Sequence, residues 1–134
     1  MQDEPRYSDV VSEVAGFLVE RLEFAERAGI ERSRLLVDPG IGFGKTVRHN
    51  LELLAGLDRI AELGPPVLVG TSRKGFLGAL IAGAERPLPG PAERLAGTIA
   101  TNVIALERGA SVFRVHDVRE VRDALLIAAA TLAP

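Results

Sequence analysis

At 134 residues the chain has room for one modest domain, and a composition of 47% hydrophobic and 25% charged residues is that of an ordinary globular protein, not of a disordered one. A net charge of -2, 4% aromatic residues and scattered basic residues give no footprint for nucleic acid. No apolar run is long enough to span a bilayer, Met1 to Arg6 is polar with no signal-peptide core, and the absence of cysteine excludes disulfides and thiolate metal sites, so the expectation is a cytoplasmic protein with no membrane partner.

Val11, Val14, Leu18, Leu22 and Ala25 recur at three- and four-residue steps and predict a helix from about Ser8 to Ala28. Ser8 would cap it and Gly29 would end it. Leu35-Leu36-Val37 reads as a buried strand ending at Asp38, followed by a glycine-rich loop from Pro39 to Thr46. A second helix is predicted from about Asn50 to Leu63, with Leu54, Leu57 and Ala61 on one face and Gly64-Pro65-Pro66 as its stop. Val67-Leu68-Val69 is the next strand, running into Gly70 to Gly75 and a short helix from Phe76 to Ala82. After the turn-rich Pro87 to Gly90, Pro91 suits the first turn of a helix that carries Leu95, Ile99, Val103 and Leu106 and ends at Gly109. Val112-Phe113-Arg114-Val115 is the third strand, and Asp117 with Glu120 forms a capping pair for a last helix from Val118 to Leu132. Short apolar strands alternating with longer amphipathic helices imply a parallel α/β sheet. Polar and glycine residues cluster after each strand's C-terminal end, the edge at which parallel α/β sheets bind ligands.

Three clusters carry chemistry. In Asp38-Pro39-Gly40-Ile41-Gly42-Phe43-Gly44-Lys45-Thr46 the ending resembles a nucleotide-binding P-loop, but Pro39 stands where that motif needs its first glycine. The dinucleotide pattern fails too, because Lys45 occupies its last glycine. The loop is either a flexible turn or a surface that lies flat against a ligand, with Phe43 as an aromatic face and Asp38 as a double hydrogen-bond acceptor. Thr71-Ser72-Arg73-Lys74-Gly75 precedes a helix, so it is either an anion site or a solvated turn. Strand alternation puts Arg114 and His116 on one face and Val115 on the other; Arg114 then meets an anion at the rim or a neighbouring carboxylate. His49 reads as exposed or capping, and two distant histidines give no metal-ligand spacing.

Taken together, Asp38 to Lys45, Gly70 to Gly75 and Arg114-Val115-His116-Asp117-Val118, with Glu93-Arg94-x-x-Gly97-Thr98 between them, resemble the last three strand-end motifs of the dihydropteroate synthase family. Ile41 stands where the family often has Phe, and Gly75 where some members have Ser. The resemblance implies a (β/α)8 TIM barrel, which takes about 250 residues. Residues 1–134 would be a single partial domain, the C-terminal half of a pterin-binding TIM barrel: three parallel strands, six to eight, with their covering helices. Met1-Gln2 resembles an internal stretch of family members. The implied reaction condenses 6-hydroxymethyl-7,8-dihydropterin diphosphate with p-aminobenzoate to give 7,8-dihydropteroate and diphosphate in folate biosynthesis, an activity that sulfonamides target.

By the same resemblance Asp38 and Lys74 would bind the pterin. Arg114, Val115 and His116 would hold the diphosphate. Gly42, Phe43, Ser72, Arg73 and Gly75 would receive p-aminobenzoate. Lys74, Arg114 and His116 would act electrostatically, without a protein nucleophile. Mg2+ is the implied cofactor, with its protein ligand in the other half and none in this one. Three parallel strands cannot close a barrel, so open edges and exposed apolar faces lead to the expectation of a homo-oligomer without activity of its own. A nucleotide-binding enzyme using Gly40 to Thr46, and a pterin-binding methyltransferase barrel, are the other readings.

Overall fold

Local sequence chemistry accounts for most of the elements in the computed structural model, which describes residues 5–134; the resemblance noted for Met1-Gln2 lies outside the described residues. Helix α1 spans Val10–Arg27 and buries Val11, Val14, Leu18 and Leu22, as their spacing predicts. Its cap is Asp9, not Ser8: the carboxylate accepts from the Ser12 N–H at 3.1 Å and from the Ser12 hydroxyl at 2.7 Å. Glu13, in the first turn, also accepts the Asp9 N–H at 3.0 Å, and both carboxylates sit at the positive helix end.

The expected strand Leu35-Leu36-Val37 contributes only one parallel bridge, Val37 to Val67, with Leu36 half exposed. Its ladder cannot lengthen. A 3-10 turn at Arg32–Arg34 occupies its upstream side. Downstream, Pro39 lacks an N–H and Asp38 turns the chain by accepting from the Gly40 N–H at 2.8 Å. The single helix expected from Asn50 to Leu63 is two, α2 (Val47–Ala55) and α3 (Leu57–Ala61). Thr46 starts α2 earlier than expected, in a capping box with His49. Gly56 separates the two helices where α1 presses on the backbone; a Cβ there would meet Val11 Cγ2 at 2.9 Å.

Strand β1 (Val67–Val69) pairs in parallel with β2 (Ala110–Phe113). Three parallel segments therefore lie side by side in chain order, although only two are ladders among the described residues. Helix α4 (Gly75–Ala82) follows β1, α5 (Leu95–Glu107) precedes β2, and α6 (Val118–Leu132) ends the chain. Pro91 opens a 3-10 turn, Pro91–Glu93, ahead of α5 and not the helix itself. β2 starts two residues earlier than predicted and stops before Arg114, whose N–H still donates to the Val69 carbonyl at 3.0 Å.

Helix α5 departs furthest from expectation. Leu95, Ile99, Val103 and Leu106 are only half-buried, while Thr98, Thr101, Asn102 and Ala105 are the buried face. Val103 and Leu106 line grooves against α6 instead. The apolar core lies between the sheet and α1 to α3, where Leu53, Leu57 and Ile60 are fully buried against Val67 and Val69. Leu57 is 0% exposed and Ile127, on α6, is 71% exposed. Urea unfolding followed by circular dichroism is expected to show a loss of about 2–5 kcal/mol for Leu57→Ala and less than about 0.5 kcal/mol for Ile127→Ala. Similar losses for the two would put the core elsewhere.

Candidate active site at the strand ends

The parallel register brings all three sequence clusters to one rim. In the first, Gly40, Gly42 and Gly44 all have positive φ, which lets the backbone fold tightly beyond Asp38. Buried Asn50 on α2 accepts from the Gly42 N–H at 2.8 Å and fixes the middle of the loop. Lys45 closes the loop on itself, its ammonium donating to the Gly40 and Phe43 carbonyls at 3.0 Å each. The lysine of the P-loop-like ending is thus engaged by its own backbone, and Thr46 is the helix cap. Phe43 is left half exposed, and Asp38 stays exposed with its carboxylate on the Gly40 N–H.

The second cluster is pinned to the first by Lys74. Its ammonium donates to the Ile41 carbonyl and sits 4.3 Å above the Phe43 ring centre. Only a glycine fits beside it: at Gly42, with φ of +87°, a Cβ would come within 2.5 Å of Lys74 Cδ. Burial pulls the Lys74 pKa below its ordinary 10.5; Asp38 opposes that shift, and Arg114 and Lys45 add to it. Lys45 is lowered for the same reason, burial, against Asp38. The rim therefore gathers three cations around a single exposed carboxylate.

Arg73 has a φ of +58° and is the one non-glycine residue with positive φ among those described, a conformation that costs about 1–3 kcal/mol and persists only where neighbours hold it. Its guanidinium forms a two-pronged ion pair with Asp117, at 2.9 and 3.2 Å. The pair raises the Arg73 pKa and lowers that of Asp117, in both cases chiefly through the hydrogen bonds themselves. Asp117 consequently makes no capping bond to α6, contrary to the expected pair with Glu120.

The third cluster completes the wall. Ser72, almost fully buried, bonds His116 Nδ1 at 2.8 Å and accepts the His116 N–H at 3.0 Å. Nε2 is then the ring nitrogen left for a ligand, whichever partner carries the shared proton. Arg114 is exposed at the rim and makes no ion pair among the described residues; the nearby carboxylate of Asp117 is paired with Arg73.

Two clefts result. One of about 220 Å³ is lined by Gly70, Ser72, Lys74, Arg114, Val115 and His116. The other, of about 410 Å³, is lined among others by Gly42, Phe43, Lys74, Gly75 and Phe76, at the start of α4. Lys74 lines both, and of the expected site residues Asp38 and Arg73 line neither. Among the described residues no group of three or more His, Cys, Asp or Glu side chains stands close enough together to hold a metal ion.

Sequence reading missed Asn50, the self-bonded Lys45 and the Arg73–Asp117 pair. Asn50 had a usable signal, a polar residue on the buried face of an amphipathic helix. The ion pair had none, because its partners are 44 residues apart. His49 is the capping residue it was expected to be, its Nδ1 accepting the Thr46 N–H at 3.2 Å.

The chain resembles known proteins along nearly its whole length. Dihydropteroate synthase from Escherichia coli K12 is 44% identical over 133 residues, which are 99% of this chain and 45% of that protein. A solved dihydropteroate synthase from Xanthomonas albilineans, in complex with 7,8-dihydropteroate, superposes with a TM-score of 0.89 at 51% identity, over 97% of this chain and 49% of that one. The same organism's enzyme with 4-aminobenzoic acid gives 0.88 at 51% identity, over 96% of this chain and 47% of that one. The chain spans about half the length of the curated relatives it matches. The family model for pterin binding enzymes matches residues 1–116, a stretch that includes the first two strand-end motifs and reaches His116 of the third, and the chain belongs to that family.

Proposed function

We propose that the chain is the C-terminal part, strands six to eight, of a dihydropteroate synthase barrel, and that its rim holds a dihydropterin diphosphate beside p-aminobenzoate. The observation that carries this reading is the pair of clefts sharing Lys74, one cationic and one with an aromatic face. In the cationic cleft Arg114, the Val115 backbone and His116 take the diphosphate, with the free guanidinium presented to phosphate oxygens. Lys74, between the clefts, takes the pterin carbonyl and ring nitrogen, and Asp38 accepts from the 2-amino edge. In the second cleft p-aminobenzoate stacks on Phe43 over the Gly42 turn, with its carboxylate toward the Gly75 N–H and the adjoining Ser72 and Arg73, of which Ser72 lines the first cleft and Arg73 neither. Asp117 takes two of the five Arg73 N–H donors, so three remain for that carboxylate. A sulfonamide would occupy the same cleft.

In the proposed reaction the bond from the pterin methylene carbon to the diphosphate oxygen breaks, and its electrons leave with diphosphate. The aryl amine lone pair forms the new carbon–nitrogen bond, and the amine then gives up a proton. Cations at the departing oxygens stabilise the charge that develops there. Mg2+ would add to that stabilisation from residues outside this chain, and no step here passes through it. Cytoplasmic location and self-association as a homo-oligomer are part of the same proposal. The support for self-association is the open edge of β2 and the exposed Leu126, Ile127 and Leu132 of α6.

In a full-length enzyme with these residues, Lys74→Ala and Asp38→Ala are each expected to weaken pterin binding by about 1.5–3 kcal/mol, the range for a hydrogen bond to a charged group. Unchanged affinity by calorimetry in both variants would refute the assignment. Arg114→Ala is expected to raise the dissociation constant of the pterin diphosphate more than that of p-aminobenzoate, and equal losses would count against the diphosphate role. Light scattering of the 134-residue chain alone is expected to give the mass of two or more copies, with no dihydropteroate formed. A monomer that turns over substrate would overturn the partial-barrel reading.

A further inference from the structure

The segment Glu93-Arg94-x-x-Gly97-Thr98 has no place among the ligand contacts proposed above, yet it touches the site from behind. Helices α4 and α5 come close because two glycines face the contact. A Cβ on Gly78 would lie 2.7 Å from Arg94 Nε, and one on Gly97 would lie 3.4 Å from Leu77 Cβ. Through that gap the Arg94 guanidinium donates to the Arg73 carbonyl at 2.8 Å and to the Pro89 carbonyl at 2.9 and 3.1 Å.

One turn further along α5, the fully buried Thr98 hydroxyl accepts the Arg73 N–H at 3.1 Å. Asn102, also fully buried, donates its amide to the Thr71 hydroxyl at 3.2 Å and to the Thr98 carbonyl at 2.7 Å. The carbonyl cannot donate, so the amide nitrogen must face this side, and Asn102 Oδ1 is left buried without a partner. Leaving an acceptor unpaired is unfavourable, and the amide is nonetheless committed to the loop. Thr71 and Arg73, the neighbours of Ser72 on either side, are both gripped from α5, and Arg73 is the residue with a φ of +58°.

We propose that Arg94, Thr98 and Asn102 are positioning residues: they hold the Thr71–Lys74 loop in its left-handed turn and so aim the Ser72 hydroxyl at His116 in the diphosphate cleft. This rests on the reading of that cleft given above. A buried polar cluster with a purely structural role would stabilise the fold without setting anion affinity. The proposed role ties the Arg73 backbone conformation to affinity.

Isotope-labelled 134-residue chain titrated with inorganic pyrophosphate separates the two. The intraresidue amide–Hα cross-peak of Arg73, strong only when φ is positive, reports the turn before any ligand is added. Thr98→Val keeps the side-chain shape and loses the acceptor; it is expected to lose that signature and to bind pyrophosphate at least tenfold more weakly. Thr98→Ser restores the hydroxyl and is expected to restore both. Arg94→Gln, at a half-buried position, is expected to weaken both in the same sense and carries the test if Thr98→Val does not fold. If either folded variant loses the signature with unchanged pyrophosphate affinity, or keeps it, the positioning role is overturned while the cleft reading stands. If the unsubstituted chain shows the signature but takes up no pyrophosphate, the cleft reading falls and the proposal falls with it.

Discussion

Parallel backbone pairing, from Val37 through Val67 to Ala110, is the constraint on which everything polar in this molecule depends. Parallel strands all end at the same side, so three short segments deliver Asp38, Gly70 and Arg114 to one rim without any contact between those residues in sequence. The pairing itself is thin. One of the three segments supplies a single bridge, and the lost ladder is offset by burial of α1 to α3 against β1. Val67 and Val69 are essentially inaccessible for that reason, and the loop after them starts from the buried middle of the sheet.

Electrostatics at the rim follows from how that space is filled. Lys45 and Lys74 could neutralise each other's neighbourhood only through carboxylates, and Asp38 is the one that raises both. A second carboxylate, Asp117, stands next to His116 but is consumed by Arg73. Were Asp117 free, it would repel any anion approaching His116. Paired, it leaves Arg114 as an uncompensated cation on that wall. With both carboxylate oxygens turned to Arg73, Asp117 makes no side-chain capping bond to α6.

What the sequence discloses is what neighbours in sequence determine. The strand Val67–Val69, the stop at Gly64, the helix α6 and the clustering of chemistry beyond each strand were all legible from spacing and turn chemistry. The break at Gly56 was not, and the residue packed against that glycine, Val11, is far away in the chain. Helix α5 misled for a deeper reason. Its Leu95–Ile99–Val103–Leu106 stripe is a sound amphipathic pattern, but the sheet side of this helix must satisfy the hydroxyl and backbone groups of the Thr71–Lys74 loop. Polar residues at 98, 101 and 102 therefore go inward and the apolar stripe goes toward α6. Three polar residues at helical spacing within an otherwise apolar segment were the available sign that the polar face had a partner to meet.

The same bonds have a second consequence, for the C-terminal third of the chain. Helix α6 buries one residue, Val121, and an apolar groove of about 450 Å³ lies between α6, Leu106, Phe113 and Val115. What crosses from the Thr71–Lys74 loop to this end is polar: two hydrogen bonds between Ser72 and His116 and two between Arg73 and Asp117. The segment that carries Arg114 and His116 is thus fastened to that loop as well as held by the packing of α6 on α5. On the proposed reading of the cleft, an anion bridging Arg114 and His116 would add to that fastening.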